Sequence, residues 1–159
     1  MSRSFLPQKR HRSREMALQL LYSLDLRGNQ DPNQAFELFF SGEDVEIEEY
    51  ARMLVSGAWE RRMELDGLIR EYVTGWRPER MVAVDLAALR MCLYECLFAK
   101  AAPVAVAISE AVDLVKAFGT EESGKFVNGA LGRIVRGIQK ENGEETSSEE
   151  ESIGDDVDG

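Results

Sequence analysis

Five bases stand among the first fourteen residues, Arg3, Lys9, Arg10, Arg12 and Arg14, with the only histidine, His11, and no acid. Such a run can neutralise a string of phosphates. A solvated terminus or a targeting segment carries the same charge, and charge alone divides the weight evenly between these readings. A second cluster lies late in the chain: Phe118, Lys125, Phe126 and Asn128. A partly exposed ring beside a cation can stack an unpaired base. Phe118, at a helix end beside Gly119, suits that role, whereas Phe126 also lies on an apolar stripe where core packing is the ordinary use of a phenyl ring.

Signs of catalysis are missing. The chain has no glycine-rich phosphate loop, no nucleophile elbow and no second histidine for a triad or zinc site. Cys92 and Cys96 share one helical face, but consecutive turns are poor disulfide geometry and no further soft ligands are at hand, so both read as small buried hydrophobes. The pairs Glu48–Glu49 and Glu121–Glu122 fall on polar helical positions. There a solvated face or a helix N-terminus explains them better than acid–base chemistry. Binding without a catalytic residue, metal or cofactor is the expectation.

Helices must position these residues. Apolar side chains recur at helical spacing from end to end and no run alternates as a half-buried strand would, so an all-α fold of about seven helices is predicted. Met16, Leu20, Leu21 and Leu24 predict a first helix over about 12–27, leaving residues 1–11 as a basic arm. Asp31 and Pro32 start a short helix through Phe40, ended by Ser41 and Gly42. From about 45 to 74 the pattern fits one helix or two, with Gly57 and Gly67 as candidate bends. Trp76 and Pro78 mark a boundary between two packed halves, about 12–75 and 80–139. A helix over about 80–99 follows, then one from Pro103 to Phe118 closed by Gly119, then a last one capped by Thr120.

With 159 residues, 44% hydrophobic and 30% charged, the chain suits one globular domain without disulfide staples. The longest apolar run, Ala101 to Ile108, contains Pro103 and is far shorter than the roughly 20 residues a membrane span needs. Nine acids of the formal charge of −10 fall in residues 141–159, and the remainder holds 20 acids against 19 bases. The molecule is thus polarised, and its acidic end, about 140–159, is predicted to be disordered. Met16 to Leu24 could imitate a signal-peptide core. Glu15, Gln19, Asp25 and the lack of a small-residue cleavage site argue instead for a cytoplasmic protein.

Four blocks carry a family resemblance. They are Arg14-Glu15-Met16-Ala17-Leu18-Gln19-Leu20-Leu21-Tyr22; Val84-Asp85 with Leu89-Arg90 and Leu93-Tyr94-Glu95; Pro103-Val104 through Ala107-Ile108-Ser109-Glu110-Ala111-Val112; and Lys116-Ala117-Phe118-Gly119 with Ser123, Lys125-Phe126-Val127-Asn128-Gly129 and Leu131. In this order, over about residues 10–138, they resemble the bacterial N-utilization substance protein B (NusB) family. The resemblance implies an all-helical fold of two small halves packed together. It also implies a non-enzymatic transcription antitermination factor that binds boxA RNA of ribosomal-operon leaders with the ribosomal protein NusE. Such a complex joins other Nus factors on RNA polymerase and supports rRNA synthesis. Carried onto this chain, the resemblance makes Arg10, Arg12, Arg14, Tyr22, Phe118, Glu122, Lys125 and Phe126 RNA-facing, and Met81, Val82, Asp85 and Leu89 NusE-facing.

The chain departs from the family pattern at Ser109, where Asn is common, at Leu86, where a base is frequent, and in the tail from Glu141. Some family members dimerise through the RNA-binding side, so the resemblance also admits a homodimer. A helical scaffold that binds protein but not RNA is the alternative reading, and RNA binding by the isolated chain separates the two. A similar domain begins a family of rRNA cytosine methyltransferases. Only the acidic tail follows residue 138 here, so an enzyme's accessory domain is not expected.

Overall fold

The computed structural model describes residues 2–28 and 31–143, with side chains in the first helix from Leu6 onward. Among the described residues there are seven α-helices and no strand: α1 (Ser2–Arg27), α2 (Pro32–Phe39), α3 (Val45–Glu60), α4 (Arg62–Tyr72), α5 (Ala83–Leu93), α6 (Val104–Phe118) and α7 (Glu121–Glu141). A 3₁₀ turn at Pro78–Arg80 precedes α5, and a π-helical turn at Tyr94–Phe98 continues it. Among the described residues no helix is long and apolar enough to cross a membrane. The tail expected to be disordered lies, from residue 144 on, outside the described residues.

Local chemistry sets several helix starts. Asp31 accepts from the Asn33 amide at 3.1 Å with Pro32 in the first turn, Asp44 accepts from Glu46 and Ile47, and Thr120 accepts from Ser123 at 3.1 Å. Each bond satisfies an amide that the first turn leaves without a partner.

Elsewhere the helices differ from the sequence reading. α1 begins at Ser2, not near residue 12, so the basic segment expected as an arm is helical. Tertiary contacts hold the added turns: Lys9 pairs with Glu46 and, at 3.4 Å, with Asp44, and the Arg10 guanidinium lies over the Tyr50 ring. The 45–74 segment is two helices broken at Arg61, not at either glycine. Gly57 lies inside α3 where the Tyr94 ring packs against the backbone, and a β-carbon there would fall within that ring. The helix expected from about residue 80 starts at Ala83. It then widens into the π turn, where the Ala99 amide reaches the Tyr94 carbonyl at 2.8 Å.

α1 packs along α3 and α5, and α6 packs against both α5 and α7, which also touch each other. The buried side chains of both halves, including Leu54, Ile69, Leu89 and Leu131, form one continuous apolar cluster. Each such leucine or isoleucine contributes roughly 1.5–3 kcal/mol through removal from water. Cys92 and Cys96 are buried within it as free thiols.

Two buried arginines cross between the halves. Arg90 on α5 grips both Asp66 oxygens on α4, at 2.9 and 2.8 Å, and reaches Asp25 on α1 at 3.3 Å. Arg14 on α1 reaches the other way, to Glu95 and Glu110.

Candidate nucleic-acid interface

Helical continuity of α1 sorts its basic residues by face. Arg10 and Arg14, four apart, share a face, while Arg12 lies about 200° around the helix from Arg14. Arg10 is half-buried, its guanidinium 3.9 Å from the centre of the Tyr50 ring. Arg14 is 4% exposed. Its Nε lies 2.9 and 3.0 Å from the two Glu95 oxygens, its Nη2 2.8 Å from Oε2, and its Nη1 3.2 Å from Glu110. Burial alone would lower the Arg14 pKa, but the hydrogen bond and charge of Glu95 outweigh it and hold the group above its ordinary value. The Tyr50 hydroxyl donates to the same carboxylate, and burial together with Glu95 pushes the phenol well above its usual range. His11 lies 2.9 Å from Glu110 at the rim of this network.

Arg14 therefore departs from its expected RNA-facing role. It is a buried half of a bidentate ion pair, because a guanidinium enters an apolar interior only with a carboxylate to meet it. Arg12 remains exposed, bonded to Glu15 at 2.9 Å and Glu43 at 3.2 Å. Exposed pairs of this kind are weak and exchange readily for a ligand's phosphate.

The turn between α6 and α7 is built differently. Gly119 closes α6 where a β-carbon would come 2.9 Å from the Val115 carbonyl oxygen, so the tight turn requires glycine. Thr120 then caps α7. This stiff turn leaves the Phe118 ring 41% exposed at the end of α6. Tyr22 on α1, also exposed, lines the same groove of about 550 Å³ with Leu18, Val82 and Thr120. Glu122 and Lys125 are exposed one helical turn apart on α7. Phe126 is half-buried, its ring centre 4.8 Å from that of Trp76. The groove thus joins two expected RNA-facing rings with one expected partner-facing residue. Arg10, by contrast, lines a separate cleft with Leu6 and Tyr50.

Two of the partner-facing expectations need correction. Leu89 is fully buried in the core, and Asp85 in the first turn of α5 is buried as well. Both follow from α5 running through the middle of the fold, where almost every side chain is covered. Burial pushes the Asp85 carboxyl above its ordinary pKa, with Ser123 opposing by a hydrogen bond, and its Oδ1 meets no partner among the described residues. Met81 is half-buried and Val82 is 62% exposed, so these two remain on the surface.

The sequence reading assigned no role to Glu95 or Tyr50. A signal was present: Glu95 is a lone carboxylate between Leu93 and Cys96 on an otherwise apolar segment. Among the described residues no group of three or more histidines, cysteines and carboxylates is placed to hold a metal.

Comparison with known proteins places this geometry among relatives. The family model described as "NusB family" matches residues 11–136. The transcription antitermination protein NusB of Symbiobacterium thermophilum is 44% identical over 140 residues, covering 82% of this chain and 91% of that protein. Its counterpart in Geobacillus kaustophilus is 42% identical over 132 residues, covering 83% and 99%. Among solved structures, one of the antitermination factors NusB and NusE in complex with double-stranded RNA aligns with a TM-score of 0.75 at 32% identity, covering 82% and 98%. T. maritima NusB aligns with a TM-score of 0.74 at 38% identity, covering 80% and 90%.

Proposed function

The chain belongs to the NusB family, and from that premise we propose that it is a non-catalytic transcription antitermination factor that binds boxA RNA of rRNA leaders together with the ribosomal protein NusE. The observation that carries this reading is the exposed Phe118–Tyr22 groove at the α6–α7 turn, with Lys125 in the following turn of α7. Rings held open to solvent by a stiff turn can stack unpaired bases, and the nearby cation can meet phosphate. The solved complex of a NusB with NusE and double-stranded RNA supports both partners as classes. Arg12, Phe118 and Lys125 contact RNA, Tyr22 and Glu122 border it, and Met81 and Val82 face NusE. Other Nus factors and RNA polymerase are reached through that complex in the cytoplasm, and a homodimer would hide the same rings.

Fluorescence anisotropy of a short labelled boxA-type RNA, with a scrambled control, tests the reading across a salt series with and without NusE. Three to five phosphate contacts predict a log–log salt slope of about −2 to −3.5 for a single strand. Tighter and sequence-selective binding in the presence of NusE is the expected result. If NusE binds and neither RNA does, the chain is a protein-binding scaffold.

A further inference from the structure

Among the described residues, two exposed aromatic side chains, Phe39 and Trp76, lie outside this groove, and Trp76 is the more exposed. Trp76 is 49% exposed in the segment between α4 and the 3₁₀ turn. Gly75 takes a left-handed φ of +86°, the Trp76 amide donates to the Val73 carbonyl at 3.2 Å, and Pro78 two residues on is buried. Val73 before it is buried as well. The segment is thus pinned on both sides of an indole that it leaves half open. That is an arrangement burial alone does not call for, since a tryptophan gains most by full coverage.

The surroundings of the ring have the chemistry of a nucleotide site. Its inner side packs on Phe126, 4.8 Å between ring centres, and Phe126 directly follows the exposed Lys125. Its outer side opens on a cleft of about 510 Å³ lined also by Arg70, Arg77 and Glu79. That volume lies within the roughly 300–1,000 Å³ common for small-ligand sites. The cleft carries two cations against one acid. Arg70 bonds Glu79 at 3.1 Å with both side chains more than half exposed, a pair that solvent screens and a phosphate can displace. A flat ring braced by a second, tilted aromatic side chain, with guanidinium groups beside it, has the elements that hold a base and its phosphate in single-strand binding.

We propose that the Trp76 cleft is a second nucleotide subsite, in which the indole stacks one base of the bound RNA strand and Arg77 and Arg70 meet its phosphates. The RNA path then runs from the Phe118 turn along the Lys125–Phe126 face of α7 to the α4–α5 connection. This rests on the RNA-binding reading above and extends it to a residue outside the Phe118 groove.

Tryptophan fluorescence tests it directly. The chain has two tryptophans, Trp59 and Trp76; a Trp59→Phe variant of the full chain leaves Trp76 as the sole reporter. The labelled boxA-type RNA is titrated while anisotropy and indole emission are read together. The expected result is quenching of Trp76 that saturates with the anisotropy, and a loss of affinity of at least about fivefold in Trp76→Leu, which keeps an apolar side chain over Phe126 but removes the flat ring. The emission reading needs no change at Trp76, so a folding defect in Trp76→Leu would leave it intact.

Anisotropy that rises with unchanged Trp76 emission overturns the subsite while leaving the Phe118 reading in place. Quenching by NusE alone and not by RNA assigns the cleft to a protein and also overturns it. Absence of any anisotropy change defeats the RNA-binding reading itself, and the subsite with it.

Discussion

Arg14 and Phe118 stand at opposite extremes of the candidate interface. Arg14 carries a full charge, the attribute most often associated with RNA, yet it is sealed between Glu95, Glu110 and the Tyr50 ring. Phe118 carries no charge and has every thermodynamic reason to be buried, yet the Gly119–Thr120 turn holds it in solvent. A charge is available to a ligand unless a buried carboxylate already holds it, whereas an exposed pair such as Arg12 with Glu15 and Glu43 can still exchange. An apolar ring is available when a rigid backbone prevents its collapse onto the core. Availability thus separates the two regions more sharply than residue type does.

The contrast would break most visibly at Arg14. Arg14→Ala leaves the Glu95 charge buried without its cation and should lower unfolding stability by about 3–5 kcal/mol, measured by urea denaturation. A loss of RNA affinity at unchanged stability would instead return Arg14 to the interface. Phe118→Ala should do the converse, weakening RNA binding by about 1–3 kcal/mol in anisotropy while stability stays within about 0.5 kcal/mol.

Asp85 sharpens the comparison through pH. Burial raises its folded-state pKa, so its stabilising contribution is complete below the unfolded value of about 3.9 and is lost as pH rises through the folded value. Urea unfolding at pH 4 and pH 7 should therefore show wild type losing stability relative to Asp85→Asn at the higher pH. An identical difference at both pH values would mean that the carboxyl titrates as if exposed.

Arg12→Ala is expected to have the smallest effect. Its pairs with Glu15 and Glu43 are exposed, so stability should change by less than about 1 kcal/mol. RNA affinity should fall uniformly across sequences, with a salt slope shallower by about 0.7 for the lost phosphate contact.

Some of the departures at α1 were legible in helical periodicity. Had the helix been started before residue 12, the spacing would have placed Arg10 with Arg14 and opposed them to Arg12. The apolar period begins only at Met16, so a local reading leaves the basic residues before it as an arm. Contacts of Lys9 to Asp44 and Glu46 hold the added turns, and those partners lie more than thirty residues away. Glu95 was visible as an odd acid in an apolar run, but its cation was not, because the pair joins residues 81 apart. Trp76 was legible as a boundary marker and not as a ring facing a cleft.

The sequence by itself determined the helical class, the caps at Asp31 and Thr120, the glycine at 119 and the burial of both cysteines. Each depends on interactions within one or two turns of chain or on an apolar period that repeats along it. The tertiary structure alone decided which arginine is spent inside and which ring stays outside. Those outcomes depend on which distant carboxylate or helix face arrives beside each residue, and a guanidinium or a phenyl ring is chemically the same in either place until its neighbour is known.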